Sequence, residues 1–148
     1  MSNTNRVLFY LVPLQLVRGV FPTKEYLKKF PTVFDIYYPI IRAIRGRNLS
    51  KLHELINHQI VLKKTFFFLL KKLDLLVYRL ILKDIVAQSD GKKQISFALF
   101  NDIVPGKSPS EIFAMLIQES MINGYISYEE NVLVLTGSNP FPLGPWSS

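Results

Sequence analysis

A capped helix that leads directly into a short hairpin, at residues 108–136, is the feature that most constrains the fold of this chain. Ser108 is a helix-capping residue, Pro109 suits the first helical position because no N–H is needed there, and Glu111 completes a capping box. Apolar residues then recur at helical spacing as far as Gly124, which we expect to end the helix in the left-handed conformation. The sequence thus predicts both ends of this helix.

Two β-prone runs follow, at 125–128 and 132–135, and the polar residues 129–131 between them indicate a hairpin. A helix with a hairpin behind it is the second half of a winged helix, which packs against nucleic acid or another protein. Its first half is predicted, in order, as a one-rung strand at 94–96, a helix at 97–103 and a turn at 105–107.

The residues ahead of this module predict a stack of short helices. We expect helices at 5–18, 24–30, 39–45 and 49–57, then an almost continuous helical pattern at 58–86 with a break near 73–75 and a second helix at 77–87. Pro39 is placed at the first turn of its helix because proline breaks a helix interior. The run 7–17 is apolar on nearly every side, so we expect another element or a partner to cover it.

The predicted fold class is mainly α: TPR-like helical-repeat helices followed by a C-terminal winged helix with a small β-hairpin. The predicted division is a helical-repeat part at 1–87, a winged-helix part at 88–137 and an extended tail at 138–148. Within that tail, we expect Phe141 and Trp146 to fold back onto the domain. Hydrophobic residues make up 49% of the 148, which is ample for such a core.

Charge is unevenly distributed between the two halves. Residues 1–84 hold fifteen Lys and Arg against five Asp and Glu, whereas residues 85–148 hold three against six. A basic excess attracts nucleic acid, an anionic membrane or an acidic protein, and composition does not choose among them. The run 7–17 contains Pro13 and Gln15 and no cleavage site follows it, and 60–86 carries many charges, so we expect neither a signal peptide nor a membrane span.

No motif predicts catalysis or a cofactor. The absence of cysteine excludes a disulfide framework and a thiolate site. His53 and His58 are five residues apart, unlike a zinc-binding pair, and structural roles are favoured for both. Residues 106–108 imitate the end of a phosphate-binding loop, but Asn101 stands where that loop needs glycine. We therefore predict a protein with no catalytic residues, no metal and no cofactor.

Aromatic and basic residues in the helical half suggest a polyanion site. Tyr37, Tyr38 and the triplet 66–68 invite a stacking platform for single-stranded nucleic acid, but core packing is favoured for these rings. Basic residues are concentrated enough to bind phosphates or an acidic peptide. The candidates are Arg42, Arg45, Arg47, Lys63, Lys64, Lys71 and Lys72.

Five short strings in this order resemble one branch of the PCI-domain family, which is shared by the proteasome lid, the COP-nine signalosome and translation initiation factor three. The resemblance covers nearly the whole chain from Arg6 to Pro142. Its strings are Tyr-Leu-Val-Pro-Leu at 10–14, Arg-Ala-Ile-x-Gly-x-Asn-Leu at 42–49 with Leu-His-Glu at 52–54, Tyr-Arg at 78–79, Gly-Tyr-Ile-Ser at 124–127 and Asn-Pro-Phe-Pro at 139–142. The branch they resemble contains subunits of the TREX-two messenger-RNA export complex and signalosome-associated relatives.

The resemblance implies a non-catalytic scaffold subunit of a nuclear export complex. Its implied partners are a larger PCI-like scaffold of the Sac or GANP type, a small acidic protein of the Dss or Sem type, and RNA or DNA bound without sequence specificity. Its implied location is the nucleus at the inner face of nuclear pores, with the cytoplasm as a second compartment. Family members carry further helical repeats before the helix at 10–14, so we expect a fragment or a shortened gene product.

Protein contacts are predicted on the winged half because its own helix carries no Lys or Arg between Ser110 and Asn123. A DNA-reading winged-helix regulator, the main alternative, needs basic residues there. A signalosome-like or lid-like subunit and a membrane-surface role for 7–17 are further alternatives. The predicted docking residues are Ile112, Met115, Glu119, Tyr125, Ile126, Tyr128, Val132 and Val134.

Overall fold

A computed structural model describes residues 3–58 and 67–142 of the chain. Among these residues the fold is mainly helical with one small antiparallel sheet, as predicted. The elements, in order, are α1 (Asn3–Leu16), α2 (Lys24–Leu27), α3 (Pro31–Arg45), α4 (Leu49–His58), α5 (Phe67–Gln88), β1 (Gln94–Ser96), α6 (Phe97–Ile103), α7 (Pro109–Gln118), β2 (Gly124–Ser127) and β3 (Val132–Leu135).

The chain divides into two compact units, residues 1–77 and 78–148, with the division inside α5. The predicted boundary lies ten residues later. Side chains at the start of the second unit explain the earlier position: the Tyr78 ring packs edge-on against Phe100, and Arg79 donates a hydrogen bond to the Met121 carbonyl. Contacts of this kind tie the second half of α5 to the winged part.

In the first unit, α1, α3, α4 and the first half of α5 supply the core. Apolar residues on these helices recur at three and four positions and form one buried side on each helix, which explains why the helices pack. The fully or almost fully buried residues of these helices include Leu8, Val12, Leu16, Val33, Tyr37, Ile40, Ile41, Ile44, Leu52, Leu73 and Val77, and Leu27 of α2 joins them.

Prolines lie inside two of these helices, which corrects the predicted helix start at Pro39. Helix α3 begins at Pro31 and continues through Pro39 to Arg45. Burial of Tyr37, Ile40 and Ile41 on either side of the proline stabilises one continuous helix and offsets the hydrogen bond that the ring removes. The predicted break at 73–75 is also wrong, because α5 continues through that segment, where Leu73 and Leu75 are buried.

In the second unit, the predicted helix starts are confirmed. Ser96 caps α6 by accepting a hydrogen bond from the Leu99 N–H at 3.1 Å. Ser108 caps α7 through the Glu111 N–H at 3.5 Å, with Pro109 as the first helical residue. The predicted helix end is wrong: α7 ends at Gln118, and Ser120 takes the positive φ of 58°.

Gly124 instead begins β2, where its missing side chain permits a close backbone approach. A Cβ at this position would lie 2.3 Å from the Val134 carbonyl oxygen of the neighbouring strand. The sheet has the order β1-β3-β2 and both pairings are antiparallel, so the predicted hairpin is confirmed and β1 adds to its far side. Asn131, with φ of 54°, completes the turn of the hairpin.

Burial alternates along β3, where Leu133 and Leu135 are buried. They face the core of the second unit together with Ile95 of β1 and the buried side of α7. The aromatic centre of that core is Phe100 against Phe113, with ring centroids 4.8 Å apart in an edge-on arrangement. This core holds α7 and the hairpin as one module.

Candidate functional site

One side of α3 carries rings with cations above them. Phe34 and Tyr38, one turn apart, stack with centroids 4.8 Å apart and an interplanar angle of 13°. Lys24 Nζ lies 5.3 Å from the Tyr38 ring centroid and the Arg42 guanidinium carbon lies 6.0 Å from it. One further turn along the chain, Arg45 lies 5.1 Å from the ring of Phe21. All three cationic residues are exposed while Phe21, Phe34 and Tyr38 are half-buried.

A hollow of about 320 Å³ lies beside these cations at the turn between α3 and α4. Arg42 belongs both to the hollow and to the ring-supported side of α3, and Lys51 contributes a second cation. Lys51 forms an exposed ion pair with Glu54 at 3.5 Å. Exposed pairs of this kind contribute little to stability, so Lys51 can readily leave Glu54 for another anion. The lining residues are Pro39, Arg42, Ala43, Gly46, Asn48 and Lys51. We call Lys24, Arg42, Arg45 and Lys51 the basic face.

Of the predicted polyanion residues, Arg42 and Arg45 belong to the basic face. Arg47 has a positive φ of 54° and is half-buried. Its guanidinium donates a hydrogen bond to the Arg45 carbonyl and so stabilises the turn between α3 and α4. Lys71 and Lys72 are exposed on α5. Lys63 and Lys64 lie outside the described residues, as do Phe66, Trp146 and the side chains of Phe67 and Phe68.

Two residues of the basic face, Lys24 and Lys51, were missed by sequence reasoning. They belong to α2 and α4, and only the packing of those helices beside α3 brings their charges to Arg42. The capping residue Asn48, which accepts a hydrogen bond from the Lys51 N–H at 3.0 Å, is the local signal that fixes where α4 begins.

His53 has a structural role, in agreement with the interpretation favoured from the sequence. Its Nε2 lies 2.8 Å and 3.0 Å from the two carboxylate oxygens of Asp74. This contact joins α4 to α5 just after Lys71 and Lys72. Among residues 3–58 and 67–142, no group of three or more His, Asp or Glu side chains could hold a metal ion.

On the winged half, half of the predicted docking residues are exposed. Tyr125 and Tyr128 expose 56% and 67% of their surface, and Met115 and Glu119 are also exposed. Ile112 is the one predicted docking residue that is buried: it is 4% exposed because it lies one turn from Leu116 on the buried side of α7.

Strand register separates the three remaining docking residues by face. Tyr125 pairs with Val134 and Ser127 with Val132, so Tyr125, Val132 and Val134 share the outer face of the sheet. Ile126 pairs with the buried Leu133 and therefore lies on the inner face, where it is half-buried. We call the exposed residues Tyr125 and Tyr128 with Val132 and Val134 the wing face.

Arg79 is a buried cation that fastens the chain after the sheet. It is 7% exposed, and its Nε donates to the Met121 carbonyl at 3.0 Å while Nη2 donates to the Pro142 carbonyl at 2.8 Å. Its guanidinium lies 5.8 Å from the Phe141 ring, so the predicted return of Phe141 onto the domain is observed. Burial lowers the pKa of Arg79. Sequence analysis identified the Tyr-Arg pair at 78–79 but did not predict that Arg79 would hold the chain after the sheet.

Helix α1 leaves one apolar side open. Leu8, Val12 and Leu16 are buried, whereas the residues on the other side keep 40% to 62% of their surface exposed: Val7, Tyr10, Leu11 and Leu14. This agrees with the apolarity on two sides in the sequence. In the part of the chain that the structure describes, no helix combines the length and apolarity that crossing a membrane requires.

Comparison with known proteins gives relatives over nearly the whole chain, although no protein-family model matches it. The chain is 28% identical to the PCI domain-containing protein 2 homolog of Drosophila melanogaster over 95% of its own length and 38% of that protein. It is 30% identical to the homolog of the same name in Dictyostelium discoideum over 97% of its length and 35% of that protein.

A third relative carries a different name. The chain is 28% identical to the Protein CSN12 homolog of Schizosaccharomyces pombe over 95% of its length and 36% of that protein. The chain thus spans little more than a third of the length of these curated relatives.

Proposed function

We propose that this chain, a member of the PCI-domain family, is a non-catalytic scaffold subunit of a multiprotein complex for nuclear messenger-RNA export of the TREX-two type. The observation that carries the proposal is the similarity over at least 95% of the chain to proteins named PCI domain-containing protein 2 homolog. A winged helix behind a stack of short helices is the architecture that such a scaffold needs.

The proposed protein contacts are made by the wing face. Tyr125 and Tyr128 are large, exposed and amphipathic, and tyrosine is enriched at the energetic centres of interfaces. Val132 and Val134 add apolar surface beside them on the outer face of the sheet. The proposed partners are a larger PCI-like scaffold of the Sac or GANP type and a small acidic protein of the Dss or Sem type, in the nucleus at the pore.

The charge of α7 favours docking over DNA reading. The segment from Ser110 to Asn123, which contains most of α7 and the residues directly after it, has no Lys or Arg, and Glu111 and Glu119 are exposed there. Major-groove recognition requires donors to base edges and cations for phosphates. Polyanions are therefore assigned, in this proposal, to the basic face in the first unit.

The test is binding to purified partner subunits. The chain is mixed with a Sac or GANP-type scaffold, with and without the small acidic protein, and the Kd is measured by calorimetry. We expect the double variant Tyr125→Glu with Tyr128→Glu to weaken binding by about a hundredfold or more, because two anchors are lost and charge is introduced. Tyr26→Glu is the matched control, since Tyr26 is an exposed tyrosine of the first unit.

Equal loss in both variants would remove the wing face from the interface. Binding to a signalosome-type scaffold and not to the export scaffold would overturn the export assignment and leave the scaffold role. No binding to either scaffold, with the fold verified by circular dichroism, would overturn the scaffold role itself.

A further inference from the structure

We infer that residues 137–142 position the wing face for docking, and that Arg79 and Asn123 are the positioning residues through which they act. We call residues 137–142 the strap. The inference rests on the proposed function, which assigns partner contacts to the wing face, and it adds residues that shape this surface without belonging to it. All of them lie in the unit at 78–148.

Three of the strings that carry the family resemblance meet at the strap. Arg79 comes from the Tyr-Arg string, the strap contains the Asn-Pro-Phe-Pro string at 139–142, and β2 is the Gly-Tyr-Ile-Ser string at 124–127. Arg79 bonds to residues that are 42 and 63 positions further along the chain. Folding therefore brings three distant strings together in one structural feature.

Asn123, the residue directly before β2, is bonded to the strap by its main chain and its side chain. Its N–H donates to the Pro140 carbonyl at 2.8 Å, and its Nδ2 donates to the Asn139 carbonyl at 3.1 Å. Its own carbonyl accepts a hydrogen bond from the Thr136 N–H at 2.9 Å. Two hydrogen bonds to the strap and one to the residue ahead of it thus fix the start of β2.

Arg79 fixes the far end of the strap to α5. Its Nη2 donates to the Pro142 carbonyl at 2.8 Å, while its Nε donates to the carbonyl of Met121, two residues before Asn123, at 3.0 Å. One buried guanidinium therefore holds both the chain that enters β2 and the chain that leaves the sheet. At the near end, Lys93 Nζ donates to the Gly137 carbonyl at 2.7 Å.

The wing face needs such support because its sheet is small. β2 and β3 have four residues each and β1 has three, and a hairpin of two strands is marginally stable by itself in water. Tyr125 lies two residues after Asn123, whereas Tyr128 lies at the hairpin turn. A surface that is ordered before its partner arrives loses less conformational freedom on binding. The strap should therefore order Tyr125 for docking and have little effect on Tyr128.

The first test is amide hydrogen exchange of the full chain without a partner. Asn123→Ala removes the side-chain bond to the strap at an exposed position, so we expect exchange in residues 124–127 to rise about fivefold, the effect of one hydrogen bond. Arg79→Lys, which keeps the charge but not the two-pronged geometry, should act in the same direction. Asn101→Ala is the matched control, since Asn101 is an exposed asparagine of the same unit.

Unchanged exchange of β2 in both strap variants, or an equal rise in Asn101→Ala, would overturn the inference. If Arg79→Lys loses its circular dichroism spectrum, Asn123→Ala decides the question alone.

The second test separates positioning from general stabilisation. With the scaffold that tests the proposed function, Asn123→Ala should raise the Kd by about threefold or more. In the Asn123→Ala background, Tyr125→Ala should then cost about threefold less affinity than in the unmodified chain, and the cost of Tyr128→Ala should not change. Equal changes for the two tyrosines would show that the strap only stabilises the fold.

Failure of the inference and failure of the proposed function are distinguishable. If the unmodified chain does not bind the scaffold, the docking role is lost, and hydrogen exchange still decides whether the strap orders β2. If the scaffold binds and its Kd is the same for the unmodified chain and for Asn123→Ala, the docking role stands and the positioning role of the strap is lost.

Discussion

A hydrogen bond between two distant residues explains how a proline is tolerated inside α1. Pro13 lacks the N–H that would bond to the carbonyl of Phe9, four residues earlier. The hydroxyl of the buried Tyr37 donates to that same carbonyl and so replaces the missing donor. This bond connects α1 to α3 and satisfies a backbone group that would otherwise be unpaired in a protein interior.

Tyr37→Phe should therefore lower the free energy of unfolding by about 1–3 kcal/mol, the usual cost of leaving a buried acceptor unsatisfied. Pro13→Ala restores an N–H for the Phe9 carbonyl, so Tyr37→Phe should cost about 1 kcal/mol less in that background. Urea unfolding of the two single variants and the double variant measures this coupling. Tyr26→Phe, at an exposed tyrosine, is the control. Costs that simply add would show that Tyr37 and Pro13 do not share the carbonyl.

The same tyrosine should make the stability of the fold depend on pH, and the direction of that dependence can be derived. Burial, with a smaller contribution from Tyr10, raises the pKa of the Tyr37 hydroxyl. The folded state then favours the protonated hydroxyl, so the contribution to stability is complete below the ordinary tyrosine pKa of about 10 and is lost as pH rises toward the folded value. Tyr37→Phe should flatten the fall of stability above that pH.

At the scale of elements, helix caps could be predicted from the sequence, whereas features that depend on tertiary contacts could not. Ser96 and Ser108 carry their signals within four residues, because a cap bonds to its own first turn. The continuity of α3 through Pro39 depends on buried partners from other helices, and no local pattern records them. Gly124 was placed at the end of α7 for the same reason: its requirement comes from Val134, ten residues further along the chain.

Gly124→Ala tests that requirement. The new Cβ would meet the Val134 carbonyl oxygen at 2.3 Å, so β2 and β3 must separate, and we expect a loss of about 2–4 kcal/mol. Gly91→Ala is the matched control: Gly91 has a φ of 79° and no atom within 4 Å, so only backbone strain of about 1–2 kcal/mol applies. Thermal unfolding compares the two. An equal loss would mean that strand contact is not what selects glycine at 124.

For the whole molecule, the sequence predicted the charge asymmetry but not which residues it brings together. Arg42 and Arg45 were identified because they are close in sequence, whereas Lys24 and Lys51 join them only through the packing of α2 and α4. On the winged half, composition favoured docking, but burial decides which residues can take part. Ile112 and Ile126 have the same apolar character as their exposed neighbours, and helix phase and strand register turn them inward.

Scaffold docking and polyanion binding should be energetically independent, because the wing face belongs to the unit at 78–148 and the basic face to the unit at 1–77. The variants Tyr125→Glu with Tyr128→Glu and Lys24→Gln with Lys51→Gln, alone and combined, form a double-mutant cycle. Residues without shared partners give coupling within about 0.5 kcal/mol. We therefore expect each pair to affect its own ligand and to leave the Kd for the other ligand unchanged. Coupling above about 1 kcal/mol would mean that one ligand contacts both units, and the assignment of separate roles to the two surfaces would then be wrong.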